Sequence, residues 1–213
     1  MRRKVLALAF LICLAPSWSH SSSELRAVVD PDAYAVYSAI LPQVTMVKHM
    51  KATNYVINSD TWALDMCLVP DEASRALMED AISSYIEQNA APWRLLEHFT
   101  LALPYELCPS QVTRDYKWAA ILQIEQHRRN QVAAASDEPD SSKTVTFEDR
   151  FPGAQGYVRL SAVGFNKDKT IAVVGIRVGC GPMCGSSGFH VLQRQDDTWI
   201  PLKWTGIECS TIS

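Results

Sequence analysis

The chain reads as an α+β domain in which N-terminal helices pack on a C-terminal antiparallel β-meander. Three observations predict this. Apolar residues recur at helical spacing through the first two-thirds of the sequence, and beyond residue 143 the pattern changes to short strand-like runs. The connections between those runs are a few residues long, whereas a parallel pair needs a crossover of about a dozen residues or more.

Ahead of the domain, Arg2, Arg3 and Lys4 precede an uncharged apolar run from Val5 to Ala15, and Ser17-Trp18-Ser19 sets small residues at the −3 and −1 positions of a cleavage site. Residues 1–19 are read as a signal peptide, because this run is well short of the roughly 20 residues of a bilayer span. The expectation is an exported protein, periplasmic or extracellular, with no membrane span after cleavage. Removing residues 1–19 takes away three basic and no acidic residues, leaving 17 Lys and Arg against 23 Asp and Glu, a net charge of −6. That balance argues against nucleic acid as a partner and leaves an unknown protein or small ligand.

Residues 24–213 are read as one domain. Asp30 is placed to cap a helix starting at Pro31, in which Tyr34, Tyr37, Ser38 and Leu41 fall at helical spacing. Residues 54–58 have strand chemistry between polar turn residues. Residues 71–89 predict an amphipathic helix with Ala73, Leu77, Ala81, Ile82, Tyr85 and Ile86 along one side, started by Pro70-Asp71 and stopped by Asn89 and Pro92. Residues 101–108 predict a second strand interrupted at Pro104. Residues 112–132 predict a further helix, and residues 133–142 a flexible linker. Five strands follow, at 143–147, 157–163, 170–178, 189–195 and 198–204, with a glycine-rich loop over 179–188.

Five cysteines survive cleavage: Cys67, Cys108, Cys180, Cys184 and Cys209. In an oxidising compartment the count allows 15 ways to form two bridges, so spacing and position must choose. Cys180 and Cys184 are predicted to close a tight loop as a structural disulfide, with the neighbouring glycines supplying unusual backbone conformations. Cys67 with Cys108 is the expected second bridge, leaving Cys209 free or paired with another chain.

These residues are also compatible with other chemistry. A redox loop is the main competitor, since Cys180-Gly181-Pro182-Met183-Cys184 superficially echoes the Cys-Gly-Pro-Cys of thioredoxin-like proteins. It carries one extra residue, and the thioredoxin motif opens a helix whereas this one leads into a strand. Zinc could be held by Cys180, Cys184, Cys209 and His190, but only one close-spaced ligand pair exists. No Gly-x-Ser-x-Gly elbow accompanies the serines and histidines. Glu79-Asp80 and Glu148-Asp149 read as solvated faces and caps, and Trp62, Trp93, Trp118, Trp199 and Trp204 as core or core-edge residues rather than a sugar platform.

The segments Ser161-Ala162-Val163-Gly164-Phe165-Asn166, Asp168-Lys169-Thr170 with Ala172-Val173-Val174, Cys180-Gly181-Pro182-Met183-Cys184-Gly185, and Phe189-His190-Val191-Leu192 leading to Trp199 resemble an uncharacterised family of exported bacterial proteins. Tyr34-Ala35-Val36-Tyr37-Ser38-Ala39 is similar to that family's N-terminal signature. The resemblance implies export and no particular activity. Cys67, Cys108 and Cys209 are departures from it, as is the ending Glu208-Cys209-Ser210-Thr211-Ile212-Ser213. The expected function is therefore a disulfide-stabilised, non-enzymatic exported module with no catalytic residues, cofactor or metal, and the alternative is a thiol–disulfide redox protein using Cys180 and Cys184.

Overall fold

The computed structural model describes residues 25–44, 52–62, 68–114, 147–181, 184–208 and 211–212. The expected signal peptide at 1–19, the linker at 133–142 and the helix beyond residue 114 lie outside the described residues. Helix α1 spans Pro31–Ile40, and the Asp30 side chain accepts a hydrogen bond from the Asp32 backbone N–H at 3.0 Å. Helix α2 spans Glu72–Gln88 and is capped in the same way by Asp71, which accepts from the Ser74 N–H at 2.8 Å. Both starts follow from a local rule: a short polar side chain satisfies a first-turn donor that has no partner inside the helix.

The strands are β1 Tyr55–Asn58, β2 Leu68–Pro70, β3 Tyr105–Cys108, β4 Tyr157–Leu160, β5 Gly164–Phe165, β6 Ile171–Gly181, β7 Cys184–Gln195, β8 Thr198–Pro201, β9 Gly206–Glu208 and β10 Thr211–Ile212. The main sheet runs β10-β7-β6-β4-β1-β3, with β5 also on β6 and β8 also on β7, while β2 and β9 pair separately. The class is α+β. The sheet is mixed rather than a purely antiparallel C-terminal meander, because β1 lies parallel to both β3 and β4. Short connections report hairpins between successive strands; the long stretches from 58 to 105 and from 108 to 157 leave room for parallel returns that spacing alone does not reveal. Residues 147–150 form a helical turn, and the strand expected at 143–147 lies outside the described residues except for Phe147.

Side chains alternate across the sheet, giving two chemically distinct faces. On one, Ala172, Val174, Ile176 and Val178 of β6 join Ile57, Val158 and Leu160 in a core cluster with Tyr34, Tyr37 and Ile40 of α1 and with Leu95 and Phe99. On the other, Ile171 and Val173 join Phe189 and Val191 against Met78, Ala81 and Tyr85 of α2. The buried stripe of α2 is rotated from the expected one: Leu77 is 46% and Ile86 56% exposed, while Met78 is fully buried. Apolar residues on more than one side of this helix fit several stripes, and the sheet selects one.

The bend between β4 and β6 is fastened to both helices. Tyr37 Oη donates to the Ser161 carbonyl at 2.8 Å, and Ser161 Oγ accepts from the Gly175 N–H at 2.7 Å. Asn89, just past α2, donates from Nδ2 to the Tyr85 and Ala162 carbonyls, at 2.8 and 3.0 Å, and accepts from the Ala162 N–H at 2.8 Å. The turn that follows is tied to the start of α1, since Lys169 Nζ lies 2.7 Å from Asp30 and 3.1 Å from Asp32. The hydrogen bond to Asp30, ahead of the other contributions, raises the Lys169 pKa.

Candidate functional site

Cys180 and Cys184 are joined by a disulfide at the tip of the β6–β7 hairpin, with Cα atoms 5.0 Å apart. The hairpin is in register from Ile171 opposite Gln193 to Gly179 opposite Gly185, then shifts so that Gly181 faces Cys184. Residues 185–188, expected to be loop, are strand. Gly185, Ser186, Ser187 and Gly188 pair with Gly179, Val178, Arg177 and Ile176 of β6, which gives the backbone bonds that a loop would leave to water. Gly179 has a packing reason, because a Cβ there would run into the ring of Tyr157 on β4. The bridge thus sits between paired strands rather than at the start of a helix, the setting that stabilises a thiolate.

The expected Cys67–Cys108 bridge is not formed: Cys108 carries a free thiol. It is buried with Val56, Phe151 and Ala154, and its sulfur donates to the Pro109 carbonyl at 3.6 Å. Burial, reinforced by the Glu106 charge, pushes its pKa up to about 11. A thiol this buried and this protonated resists alkylation. Cys67 and Cys209 lie outside the described residues. Peptide mapping after native alkylation is expected to return Cys108 unmodified until the protein is denatured. A Cys67–Cys108 peptide would refute this expectation.

His190 faces Val174 across the β6–β7 pair and is half-buried, and desolvation lowers its pKa. Among the described residues no group of three or more His, Cys, Asp or Glu is placed to hold a metal ion. Glu79 and Asp80 lie exposed on α2, and Trp199 is buried in the core. A cleft of about 520 Å³ is lined by Val29, Pro31, Tyr34, Ala35, Ser38, His98 and Thr100. Two of its hydroxyls are engaged: Tyr34 Oη donates to the Val28 carbonyl and accepts from the Leu96 N–H, and Ser38 Oγ accepts from the Thr100 N–H.

A second place on the sheet has an unexpected character. Trp62, which follows β1 and donates its N–H to the Leu160 carbonyl at 2.8 Å, carries two guanidinium groups against its ring. Arg159 lies 5.2 Å and Arg177 5.4 Å from the ring centroid. The two arginines are directly opposite one another on β4 and β6. Burial lowers the Arg159 pKa, the largest of several influences on it. Nearby, Asp60 accepts from the Ser110 N–H at 3.2 Å and from its hydroxyl at 2.6 Å. Sequence reasoning missed this group. Each arginine alternates with apolar neighbours in a strand, which puts it on the face away from α1, but nothing local says that this face is covered.

No helix among the described residues is long and apolar enough to cross a membrane. Comparison with protein-family models, with curated proteins and with solved structures finds no match to this chain.

Proposed function

We propose that the chain is an exported, disulfide-stabilised binding module without catalytic activity, in which N-terminal helices brace a sheet built mainly from the C-terminal third. The observation that carries this reading is the setting of the Cys180–Cys184 bridge, at the tip of a hairpin with strand on both sides. The bond from Tyr37 to Ser161 and the seat of α2 on Val173 and Val191 support the bracing role of the helices. Export is supported by the N-terminal sequence and is compatible with a disulfide.

The variant carrying Cys180→Ser and Cys184→Ser is expected to fold and to melt about 4–8 °C lower, since closing so short a loop stabilises by roughly 2 kcal/mol. Neither it nor the wild type should accelerate the reduction of insulin by dithiothreitol. An acceleration by the wild type that Cys184→Ser abolishes would instead establish the redox alternative.

A further inference from the structure

We infer that the face of the sheet beneath Trp62 holds a binding site for a small oxyanion, gripped by Arg159 and Arg177. The register places the parts. Asn58 faces Cys108 on β3, and Arg159 faces Arg177 on β6. In the parallel β1–β4 pair Val56 lies beside Tyr157 and Ile57 beside Val158, so Asn58 falls next to Arg159 on the same face. A polar row therefore crosses the middle of the sheet, between the apolar seat of α2 and the cluster around Phe151.

This row is short of acceptors. Like charges directly opposite on neighbouring strands repel, and among the described residues neither arginine has a carboxylate within ion-pair distance. Asp60 is close enough to favour the charge on Arg159, but its hydrogen bonds go to Ser110 and it makes no ion pair with Arg159 among the described residues. Arg159 Nε is buried with no hydrogen-bond partner. So are both amide atoms of Asn58, a residue with 0% exposure.

Buried polar groups almost always find partners, and two of these atoms, Arg159 Nε and Asn58 Nδ2, are donors that lack an acceptor. Guanidinium offers donors and no acceptor, and Asn58 Nδ2 adds two more N–H groups, so the group that fits them is rich in acceptors and negatively charged, while Asn58 Oδ1 is left to accept from a donor such as the hydroxyl of a hydrogen phosphate. Cross-strand neighbours have Cβ atoms about 5 Å apart, which lets two guanidinium forks converge on a single carboxylate or phosphate group. Trp62 holds both forks by cation–π contact, limiting the side-chain freedom that binding would otherwise have to remove.

The inference rests on the binding-module reading only in naming a ligand class for it, and the two fail separately: accelerated insulin reduction would sink that reading and leave the anion site untouched. The test is titration of the full mature chain with inorganic phosphate and, separately, with acetate at constant ionic strength. Arginine Nε–H and Trp62 indole signals are followed by NMR. A saturable shift with either anion is expected, the one that binds telling a tetrahedral from a planar preference. Arg177→Gln should weaken it about tenfold or more and Arg177→Lys less, both with a nearly unchanged melting temperature, as expected when one arm of a charge-assisted pair is lost. Absence of a saturable wild-type shift with both anions, or undiminished binding by Arg177→Gln, would overturn the inference.

Discussion

Replacing Gly164 with alanine is expected to destabilise the protein by roughly 1–3 kcal/mol, and with valine by more, because the site has no room for a side chain. Strand β5 passes so close to α2 that a Cβ at Gly164 would collide with the Ala81 carbonyl oxygen and with the backbone nitrogen and Cα of Tyr85. Those are backbone atoms in the middle of a helix, so no rotamer change relieves the contact. The helix or the strand must move as a body, pulling Met78 and Tyr85 off Val173 and Phe189. Urea denaturation reads the effect as a lowered midpoint with little change in slope. A midpoint for Gly164→Ala within experimental scatter of the wild type would show that α2 is not held where the packing puts it.

Asn89→Ala should cost about 1–3 kcal/mol, since it leaves the buried Ala162 N–H without an acceptor. The amide also donates to the Tyr85 and Ala162 carbonyls, but these keep the Asn89 backbone N–H and the Ser161 hydroxyl as donors. Asn89→Asp separates this role from simple filling of space. It keeps the acceptor for the Ala162 N–H but turns a carboxylate oxygen toward two carbonyl oxygens, which raises the folded-state pKa of the new acid above its unfolded value. The folded form then binds the proton more tightly, so this variant should gain stability as the pH falls through that raised pKa, relative to the wild type. Urea midpoints of both proteins across the acid range check the sign; parallel curves would mean that residue 89 is not in contact with those carbonyls.

These two residues also show what was legible in the sequence. Helix starts were readable because they are local: Asp30 and Asp71 cap the next turn whatever the rest of the chain does. The β7–β8 hairpin was readable for a similar reason, with Asp196 and Asp197 both in the left-handed region, at φ 45° and 62°, as a tight hairpin turn demands. The segment from Ser161 to Asn166 stood out as a pattern, and the structure gives its residues architectural work. Ser161 receives Tyr37, Ala162 receives Asn89, Gly164 clears α2, Phe165 packs on Trp199, and Asn166 accepts from the backbone of Thr170 and Ile171.

What stayed hidden depends on distant partners. The parallel placement of β1 between β3 and β4 joins residues about 50 and 100 positions apart, and no local signal records it. The bonding state of Cys108 follows from its burial under Phe151, which sequence spacing does not measure. Arg159 and Arg177 look like ordinary outward-facing strand residues until the register sets them opposite each other beneath Trp62.

The pairing of β2 with β9 has a consequence for the order in which the chain can fold. Leu68 meets Glu208, and Asp71 at the head of α2 receives the Thr205 hydroxyl and donates its N–H to the Thr205 carbonyl at 3.0 Å. A chain that emerges N-terminus first, from a ribosome or through a translocation pore, presents β1, β2 and the apolar stripe of α2 long before their partners arrive. Each early piece is an unpaired edge or an uncovered stripe, the kind of surface that aggregates or recruits chaperones. The edge of β2 and the stripe of α2 therefore stay uncovered until residues 171–208 have emerged.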